Sequence, residues 1–352
     1  MRRVRIALET QFAYGMPTGL GVYARSLASA LKANGDVDVV ELHDERLDVW
    51  RFDRRLCWDQ FRAPALAAAA RADLVHFTGG TLPLRPPHPC VLSVHDLAWL
   101  HEAVSGRPYA RWYFGPLQAS LGRRADLIVT DTQVMREHIT GALRVAHDRV
   151  VVCGCGIDPS WFDIKHEPAT PPYVLCVGTV EERKDLITAV RSLVELPHMR
   201  LLSAGPHTPY AARVRRAAQE CDVGDRVELL GFVRDAALRS LYAGATAFVF
   251  PSRYEGFGLP PLQALAAGLP VVAADIPVLR EVLGPCARFA TPGDPASFAK
   301  QLKDVVVAPG QLREVAQNGQ RHAAGFTWPV VARRLIGLYG LVLDERLGAA
   351  SA

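Results

Sequence analysis

Long apolar runs are missing from the 352-residue sequence: none approaches the roughly 18 to 20 residues that a membrane-spanning helix needs. Blocks of like charge are missing as well, and the formal net charge is +4. A mild positive excess suits an anionic small molecule better than a nucleic-acid duplex. The sequence therefore predicts neither a membrane-spanning protein nor a nucleic-acid-binding one.

Cysteine is scarce and poorly spaced for a structural role. The count of 7 is odd, and no pair has the C-x-x-C spacing of a metal site. The opening stretch, MRRVRIALET, lacks the apolar core of a signal peptide. We therefore expect a protein of the reducing cytoplasm, without a disulfide framework or a structural zinc.

What the sequence does contain is the composition of a globular enzyme, with 49% hydrophobic and 22% charged residues. Its length suggests about two domains. Short apolar runs that end in loops alternate with helical segments, which predicts α/β domains with parallel sheets covered by helices. The proline-rich stretch 168–172 interrupts the alternation, so we place the domain linker there and predict domains of residues 1–168 and 169–327.

Ligands of open α/β sheets bind outside the carboxyl ends of the strands. Two such domains that face one another create a cleft, and the informative residues should lie on loops that follow strands. In the loop Gly178–Asp185, Arg183 and Lys184 can hold a diphosphate, the first as a fork and the second as a point charge. The alternative is a solvated charged turn.

A second loop runs from Phe250 to Pro260. Glycines at positions 256 and 258 flank Phe257 and allow the backbone to turn closely against a ligand at the start of a helix. Glu255, just before this helix, could instead be a cap. Two glycines and an aromatic residue favour a ligand-binding turn, because capping does not require them.

Two loops of the first half carry weaker signals. Residues 19–24 match G-x-G-x-x-A, and Glu41 mimics the acidic ribose ligand of a nicotinamide-binding fold, but residues 11–18 separate this motif from the preceding strand. The pair His95-Asp96 follows a buried strand and offers titratable groups. A buried histidine without a catalytic role is the alternative for His95.

One long segment, residues 250–275 (FPSRYEGFGLPPLQALAAGLPVVAAD), resembles the signature of family four of the retaining glycosyltransferases, which have the GT-B fold. Residues 178–186 resemble the G-x-x-x-x-R-K-N-L loop of the same family. The resemblance extends over residues 4 to about 345, and family members of about this length with a similar amino-terminal loop are often mannosyltransferases of bacterial surface-polysaccharide synthesis. It implies an α/β fold of two Rossmann-like domains across a cleft, with a last helix of about 328–347 that returns to the first domain.

The resemblance also implies the roles of the site residues. The catalytic set would be His95, near the reaction centre, with Glu255 on the sugar hydroxyls and Arg183 and Lys184 on the diphosphate. No metal or cofactor is expected, in keeping with the lack of a D-x-D motif in a suitable loop. The remaining donor-binding residues would be Gly19, Gly21, Phe232, Val233, Gly256, Phe257, Gly258, Leu259 and Gln263.

Two positions depart from the family pattern. Gln263 stands where a second glutamate usually accepts hydrogen bonds from the ribose, and an amide oxygen accepts them without charge assistance. Asp185 stands where asparagine is usual. The first departure puts the affinity for the donor in question.

The identities of the substrates are expectations from analogy. GDP-mannose is the leading donor, and the acceptor is a saccharide or a lipid-linked glycan bound by Tyr14, Asp96 and Trp112, near residues 11–18 and 99–113. A lipid-linked acceptor would imply peripheral contact with the inner face of a membrane. Two alternatives stay open: an NAD-dependent oxidoreductase and a non-catalytic sensor of nucleotide sugars.

Overall fold

The computed structural model describes residues 3–15, 18–97, 109, 112–306 and 312–350. It divides into two compact units. The first comprises Met1–Gly156 and Phe326–Ala352, and the second comprises Ile157–Gly325.

The first unit contains a six-stranded sheet with the order β2-β1-β3-β4-β5-β6. Every pairing in it is parallel. Its strands are β1 (Val4–Glu9), β2 (Val37–Leu42), β3 (Leu74–Phe77), β4 (Cys90–Ser93), β5 (Leu127–Thr130) and β6 (Val150–Val152). Several strands are buried along their whole length, because helices cover the sheet.

The helices of the first unit follow from local signals in the sequence. Thr18 caps α1 by accepting a hydrogen bond from the Gly21 N–H, and Gly35, with φ of 80°, ends this helix. The described helices are α1 (Gly19–Asn34), α2 (Phe52–Cys57), α3 (Ala63–Ala70), α4 (Gln118–Gly122), α5 (Gln133–Leu143) and, after the second unit, α13 (Trp328–Ala350). Wider π turns at Trp58–Arg62 and Tyr113–Leu117 precede α3 and α4.

Helix α13 belongs to the first unit, in agreement with the expected return of a helix at about 328–347. It packs against α1, where the rings of Trp328 and Tyr23 meet edge to face. Further along, the Tyr339 hydroxyl lies 2.6 Å from Nδ1 of His76, inside the sheet. Aromatic burial and a buried hydrogen bond therefore fix this helix to the core.

The second unit contains another parallel six-stranded sheet, with the order β12-β11-β10-β7-β8-β9. Its strands are β7 (Tyr173–Val177), β8 (Arg200–Ala204), β9 (Val227–Gly231), β10 (Ala247–Phe250), β11 (Val271–Ala274) and β12 (Arg288–Ala290). Its described helices are α6 (Leu186–Ser192), α7 (Tyr210–Glu220), α8 (Asp235–Gly244), α9 (Leu259–Ala266), α10 (Pro277–Leu283), α11 (Pro295–Val306) and α12 (Leu312–Ala323).

The division between the units lies at Gly156 and Ile157, whereas the sequence places it at residue 168. The proline-rich stretch 168–172 is part of the second unit because its backbone is hydrogen-bonded there. The Ala169 N–H donates to the Gly244 carbonyl at 2.9 Å, and the Pro172 carbonyl accepts from Arg200 at 3.2 Å. The prolines therefore mark the entry into β7 and not a linker.

Among the described residues, no helix combines the length and the apolar character needed to cross a membrane.

Candidate active site

The order of the second sheet determines where a ligand site forms. From β7 the chain moves outward through β8 and β9 and then returns to add β10 on the other side of β7. The crevice of an α/β sheet opens at this point of reversal, between the loops after β7 and β10. These two loops are the ones that the sequence singles out, residues 178–185 and 251–258.

Both cations of the first loop contact the carboxylate of the second. Arg183 and Lys184 form a short 3-10 turn, and the Lys184 ammonium donates to Oε1 of Glu255. Nη1 of Arg183 lies 3.4 Å from Oε2 of Glu255 and 3.1 Å from the Tyr254 carbonyl. Lys184 and Arg183 thus form one cluster with Glu255, although Glu255 follows them by 71 and 72 positions in the sequence.

Glu255 is buried, with 8% of its surface exposed. Burial would raise the pKa of its carboxyl group, but the Lys184 ammonium and the Arg183 guanidinium outweigh this and lower it below the ordinary value. Ser252 adds a hydrogen bond from its hydroxyl to Oε1 of Glu255 at 2.5 Å. Glu255 is therefore an ionised acceptor between two cations, and Ser252 is a contact that the sequence analysis missed.

Asp185 explains how the departure from asparagine is accommodated. Its φ of 46° lies in the left-handed region, which asparagine and aspartate tolerate better than most residues. Its carboxylate accepts from the Thr188 hydroxyl at 2.7 Å and from Nε of Arg253 at 2.8 Å. The negative charge that Asp185 adds to the first loop is thus paired with Arg253 of the second loop.

The glycine turn before α9 has the backbone that its sequence predicts. Gly258, with φ of 99°, is the residue at which α9 begins, and a Cβ there would lie 2.7 Å from a Leu279 methyl group. Phe257 is buried beneath the turn. Gln263 lies further along α9 and is half-buried. Residues 260 and 261 of this helix start are prolines without an N–H group, so Leu259 is the residue of its first turn that offers one to an anion or a sugar oxygen.

Two further features border this site in the second unit. Phe232 and Val233 follow the edge strand β9, and Phe232 is 54% exposed. Gly205 follows β8 with φ of 156°, and a Cβ there would lie 2.0 Å from the Gly178 carbonyl oxygen. The sequence analysis missed Gly205, although the Gly-Pro pair directly after a strand is a turn signal.

In the first unit, His95 follows β4 and its Nδ1 lies 2.7 Å from Oδ2 of Asp131, the residue directly after β5. Burial lowers the pKa of His95, but the Asp131 carboxylate outweighs it, and the net pKa is raised. Asp131 was not among the residues that the sequence predicts. Asp96, beside His95, is half-buried.

Glu9, at the end of β1, forms a second cluster that the sequence analysis missed. It is 1% exposed, and burial raises the pKa of its carboxyl group. It accepts hydrogen bonds from Trp58 Nε1 at 2.6 Å and from the N–H groups of Thr78 and Gly79 at 2.9 and 2.8 Å. Glu9 thus ties the loop after β1 to the loop after β3.

The other predicted residues of the first unit lie on its surface or at its helix starts. Gly19 and Gly21 form the first turn of α1. Tyr14 stacks on His43 with ring centroids 4.4 Å apart, and the Trp112 side chain is 58% exposed. Most of the proposed acceptor loop, residues 98–108, 110 and 111, lies outside the described residues.

A metal-ligand spacing occurs once among the side chains that the structure describes. His88, Cys90 and Asp126 bring one ligand atom each to within 4.8 Å of one another. They lie where β4 and β5 begin, at the edge opposite to His95 and Asp131. This group is therefore no part of the candidate active site.

Two family models and several curated relatives are similar to this chain. A family model described as glycosyl transferases group 1 matches residues 158–322, and a model of glycosyltransferase family 4 matches residues 17–161. The chain is 29% identical to an MMP alpha-(1->4)-mannosyltransferase of Mycolicibacterium hassiacum, over 65% of this chain and 57% of the relative. It is 28% identical to the O-antigen chain mannosyltransferase RfbU of Salmonella typhimurium, over 68% of this chain and 66% of the relative.

The chain thus spans about three fifths of the length of these curated relatives. Anabaena HepE in complex with UDP-glucose has a similar structure, with a TM-score of 0.73 and 17% identity over 99% of this chain and 100% of HepE. The two family models together account for both units, and the fold agrees with the GT-B fold implied by the sequence. The two units thus match the models of glycosyl transferases group 1 and glycosyltransferase family 4, in agreement with the resemblance that the sequence indicates.

Proposed function

We propose that the protein transfers mannose from GDP-mannose to a hydroxyl group of a saccharide or lipid-linked acceptor, with retention of the anomeric configuration and without a metal. The observation that carries this proposal is the cluster of Arg183, Lys184 and Glu255 at the reversal point of the second sheet. Two fixed cations suit a diphosphate, and the buried carboxylate suits sugar hydroxyls. The names of the two curated relatives support mannose as the sugar.

In the proposed reaction, the bond between the anomeric carbon and the diphosphate breaks, and its electron pair stays on the phosphate oxygen. The acceptor oxygen bonds to the anomeric carbon on the same face, and its proton passes to the departing phosphate oxygen. Arg183 and Lys184 stabilise the charge that builds on the diphosphate, which is electrostatic catalysis. The residues Gly256–Leu259 present backbone N–H groups to the donor.

The acceptor belongs to the first unit in this proposal. Tyr14, Asp96 and Trp112 would bind it, and the exposed Trp112 ring offers a face for a sugar or for a lipid headgroup region. Glycan or surface-polysaccharide assembly at the cytoplasmic face of a membrane is the setting that this acceptor class supports. The family models favour a transferase over the oxidoreductase alternative.

The experiment has two stages. Thermal unfolding with GDP, UDP, ADP, dTDP and NAD should show stabilisation by GDP, about 2.7 kcal/mol at 100 times its Kd. Turnover of GDP-mannose, with the product anomer assigned by NMR, then separates an enzyme from a sensor. Stabilisation by another nucleotide alone would reassign the base, and binding without turnover with any acceptor class would favour the sensor.

Substitution of the cations tests the site itself. Arg183→Ala and Lys184→Ala should each lower kcat/KM by about 10², since a charge contact worth roughly 3 kcal/mol in the transition state is lost. Lys303→Ala is the matched control, because its ammonium pairs with Glu195 at 2.7 Å on the surface of the same unit. Near-normal kinetics in both site variants would contradict the assignment.

A further inference from the structure

The pair of His95 and Asp131 arises from the alignment of two strands. Ser93 of β4 is opposite Val129 of β5 in a parallel pairing, so the residues that follow the two strands meet at the same edge. The Asp131 side chain is 5% exposed and the His95 side chain is 23% exposed. A buried carboxylate 2.7 Å from Nδ1 of a partly accessible imidazole accepts a hydrogen bond from the Nδ1–H and fixes the position of the ring.

The rest of the ring is enclosed by other elements of the first unit. The Tyr23 ring of α1 meets the His95 ring edge to face, with centroids 4.2 Å apart. The Tyr23 hydroxyl is held in turn by Ser93 Oγ at 3.2 Å. On the other side, the Thr78 carbonyl faces the imidazole, and Nε2 is buried without a hydrogen bond of ordinary geometry. The ring therefore has acceptors on two sides and little freedom to rotate.

The ionisable groups around His95 favour a positive charge on it. The carboxylates of Asp131 and Asp96 both raise its pKa and outweigh burial. His76 is the opposing basic group, but burial lowers its pKa to about 3, so it is neutral at physiological pH. Tyr23 is neutral as well, because burial raises its pKa well above the ordinary value. The neighbouring groups thus favour the imidazolium over the neutral imidazole.

We propose that Asp131 is a positioning residue: its carboxylate holds the His95 imidazole at the carboxyl edge of the first sheet, so that His95 acts in the transfer step through a fixed positive charge and not as a proton-accepting base. This inference rests on the proposed function, in which negative charge builds on the departing diphosphate. Asp131 acts through His95 and does not itself touch the substrate.

The test compares the wild-type chain with Asp131→Asn. The asparagine keeps the shape of the side chain and removes its charge, so the pKa of His95, followed by NMR, should fall by about one unit or more. The positive charge is present below this pKa and is lost as the pH rises through it. The falling limb of kcat against pH should therefore move to lower pH by the same amount, with the donor KM within about two-fold of wild type.

Asp126→Asn is the matched control. Its carboxylate pairs with Nδ1 of His88 at the same distance of 2.7 Å, at the opposite edge of the same strands. It should leave both the pKa of His95 and the pH profile unchanged. A shift of equal size in both variants would reduce Asp131 to a structural role and overturn the proposal.

The pKa of His95 in the wild-type protein is a second test, and it does not require that the Asp131→Asn variant folds. The NMR signal of His95 is assigned by its loss in His95→Gln, and a wild-type pKa below the ordinary value of about 6.5 would overturn the proposal. Normal turnover in Asp131→Asn with an unchanged pH profile would overturn the inference about Asp131 and would leave the proposed function in place. If no sugar nucleotide is turned over by the wild-type chain, the proposed function fails and this inference fails with it.

Discussion

Gln263 is the residue of the candidate site at which the sequence departs from the second glutamate of the family pattern. It lies within α9, the helix that begins at the Gly258 turn, where the family uses a glutamate. An amide oxygen can accept a hydrogen bond from a ribose hydroxyl, but a carboxylate accepts it with charge assistance, a difference of about 1 kcal/mol. In the proposed reaction, a glutamine in place of the family's glutamate would weaken nucleotide binding and would leave Arg183 and Lys184 in place to stabilise the leaving group.

We predict that Gln263→Glu binds the nucleotide a few-fold more tightly than the wild-type chain. Calorimetric titration with the ribonucleotide and with its 2′,3′-dideoxy analogue measures the effect, which should vanish with the analogue. Weaker binding of both nucleotides would indicate repulsion by a nearby acidic group, and no change would place Gln263 away from the ribose. An equal gain for both nucleotides would exclude the ribose contact.

The sequence predicts the residues of this site more readily than their partners. Arg183, Lys184 and Glu255 are visible because they stand in loops directly after strands. Asp131 is invisible as a partner of His95, because the two are 36 positions apart and meet only through the pairing of β4 with β5. A contact that depends on the order of the strands can be predicted only when the sheet is known, because no sequence motif contains both residues.

At the scale of the elements, the second sheet depends on a close approach between two loops. Gly178 and Gly205 follow the neighbouring strands β7 and β8, and the Gly178 N–H donates to the Ala204 carbonyl at 2.9 Å. The Gly178 carbonyl group occupies the position that a Cβ atom would take at residue 205, so the two backbones are in contact. The carboxyl edge of this sheet therefore has no room for a side chain at residue 205.

Gly205→Ala should consequently destabilise the second unit by about 1–3 kcal/mol or more, since two backbone segments must separate. It should also weaken nucleotide binding, because the loop after β7 carries Arg183 and Lys184. Thermal unfolding and calorimetric titration measure the two effects. Gly224→Ala is the control, because the nearest atom to its Cβ position is 3.8 Å away on a flexible side chain. Equal stability of the two variants would contradict the close approach.

Local signals predict most elements of the fold but not all of their connections. Alternating apolar runs and helix caps are encoded by neighbouring residues, and the strand-loop-helix order follows from them. The stretch 168–172 misleads, because prolines look the same in a linker and in a segment packed against its own unit. The sequence analysis did not predict the π turns at Trp58–Arg62 and Tyr113–Leu117, although the Gly115-Pro116 pair in the second is a local helix-breaking signal. The Tyr113 hydroxyl donates to the Asp59 carboxylate at 2.8 Å and joins the two turns.

At the scale of the whole molecule, the positions of two possible metal-binding groups bear on whether the reaction depends on a metal. The D-x-D sequence Asp36-Val37-Asp38 spans the start of β2, where Asp38 pairs with Arg5 at 2.7 Å. The described group with metal-ligand spacing also lies at an amino edge of the first sheet. Neither is at the carboxyl edges, where the candidate site residues lie.

Transfer of the sugar should therefore persist in excess EDTA, with an initial rate within about two-fold of the untreated protein, because cationic side chains stabilise the diphosphate. A coupled assay for the released nucleoside diphosphate, itself free of metal, is the measurement. Loss of activity in EDTA that Mg²⁺ or Mn²⁺ restores would show that the diphosphate site has been misassigned.

The return of α13 to the first unit has a consequence for the nascent chain. Synthesis proceeds from the amino end, so every residue of the second unit leaves the ribosome before α13 does. Until α13 arrives, Nδ1 of His76 lacks the Tyr339 hydroxyl, and a buried polar atom without its partner costs stability. The second unit can therefore complete its packing first, and the first unit, although it begins the chain, closes last.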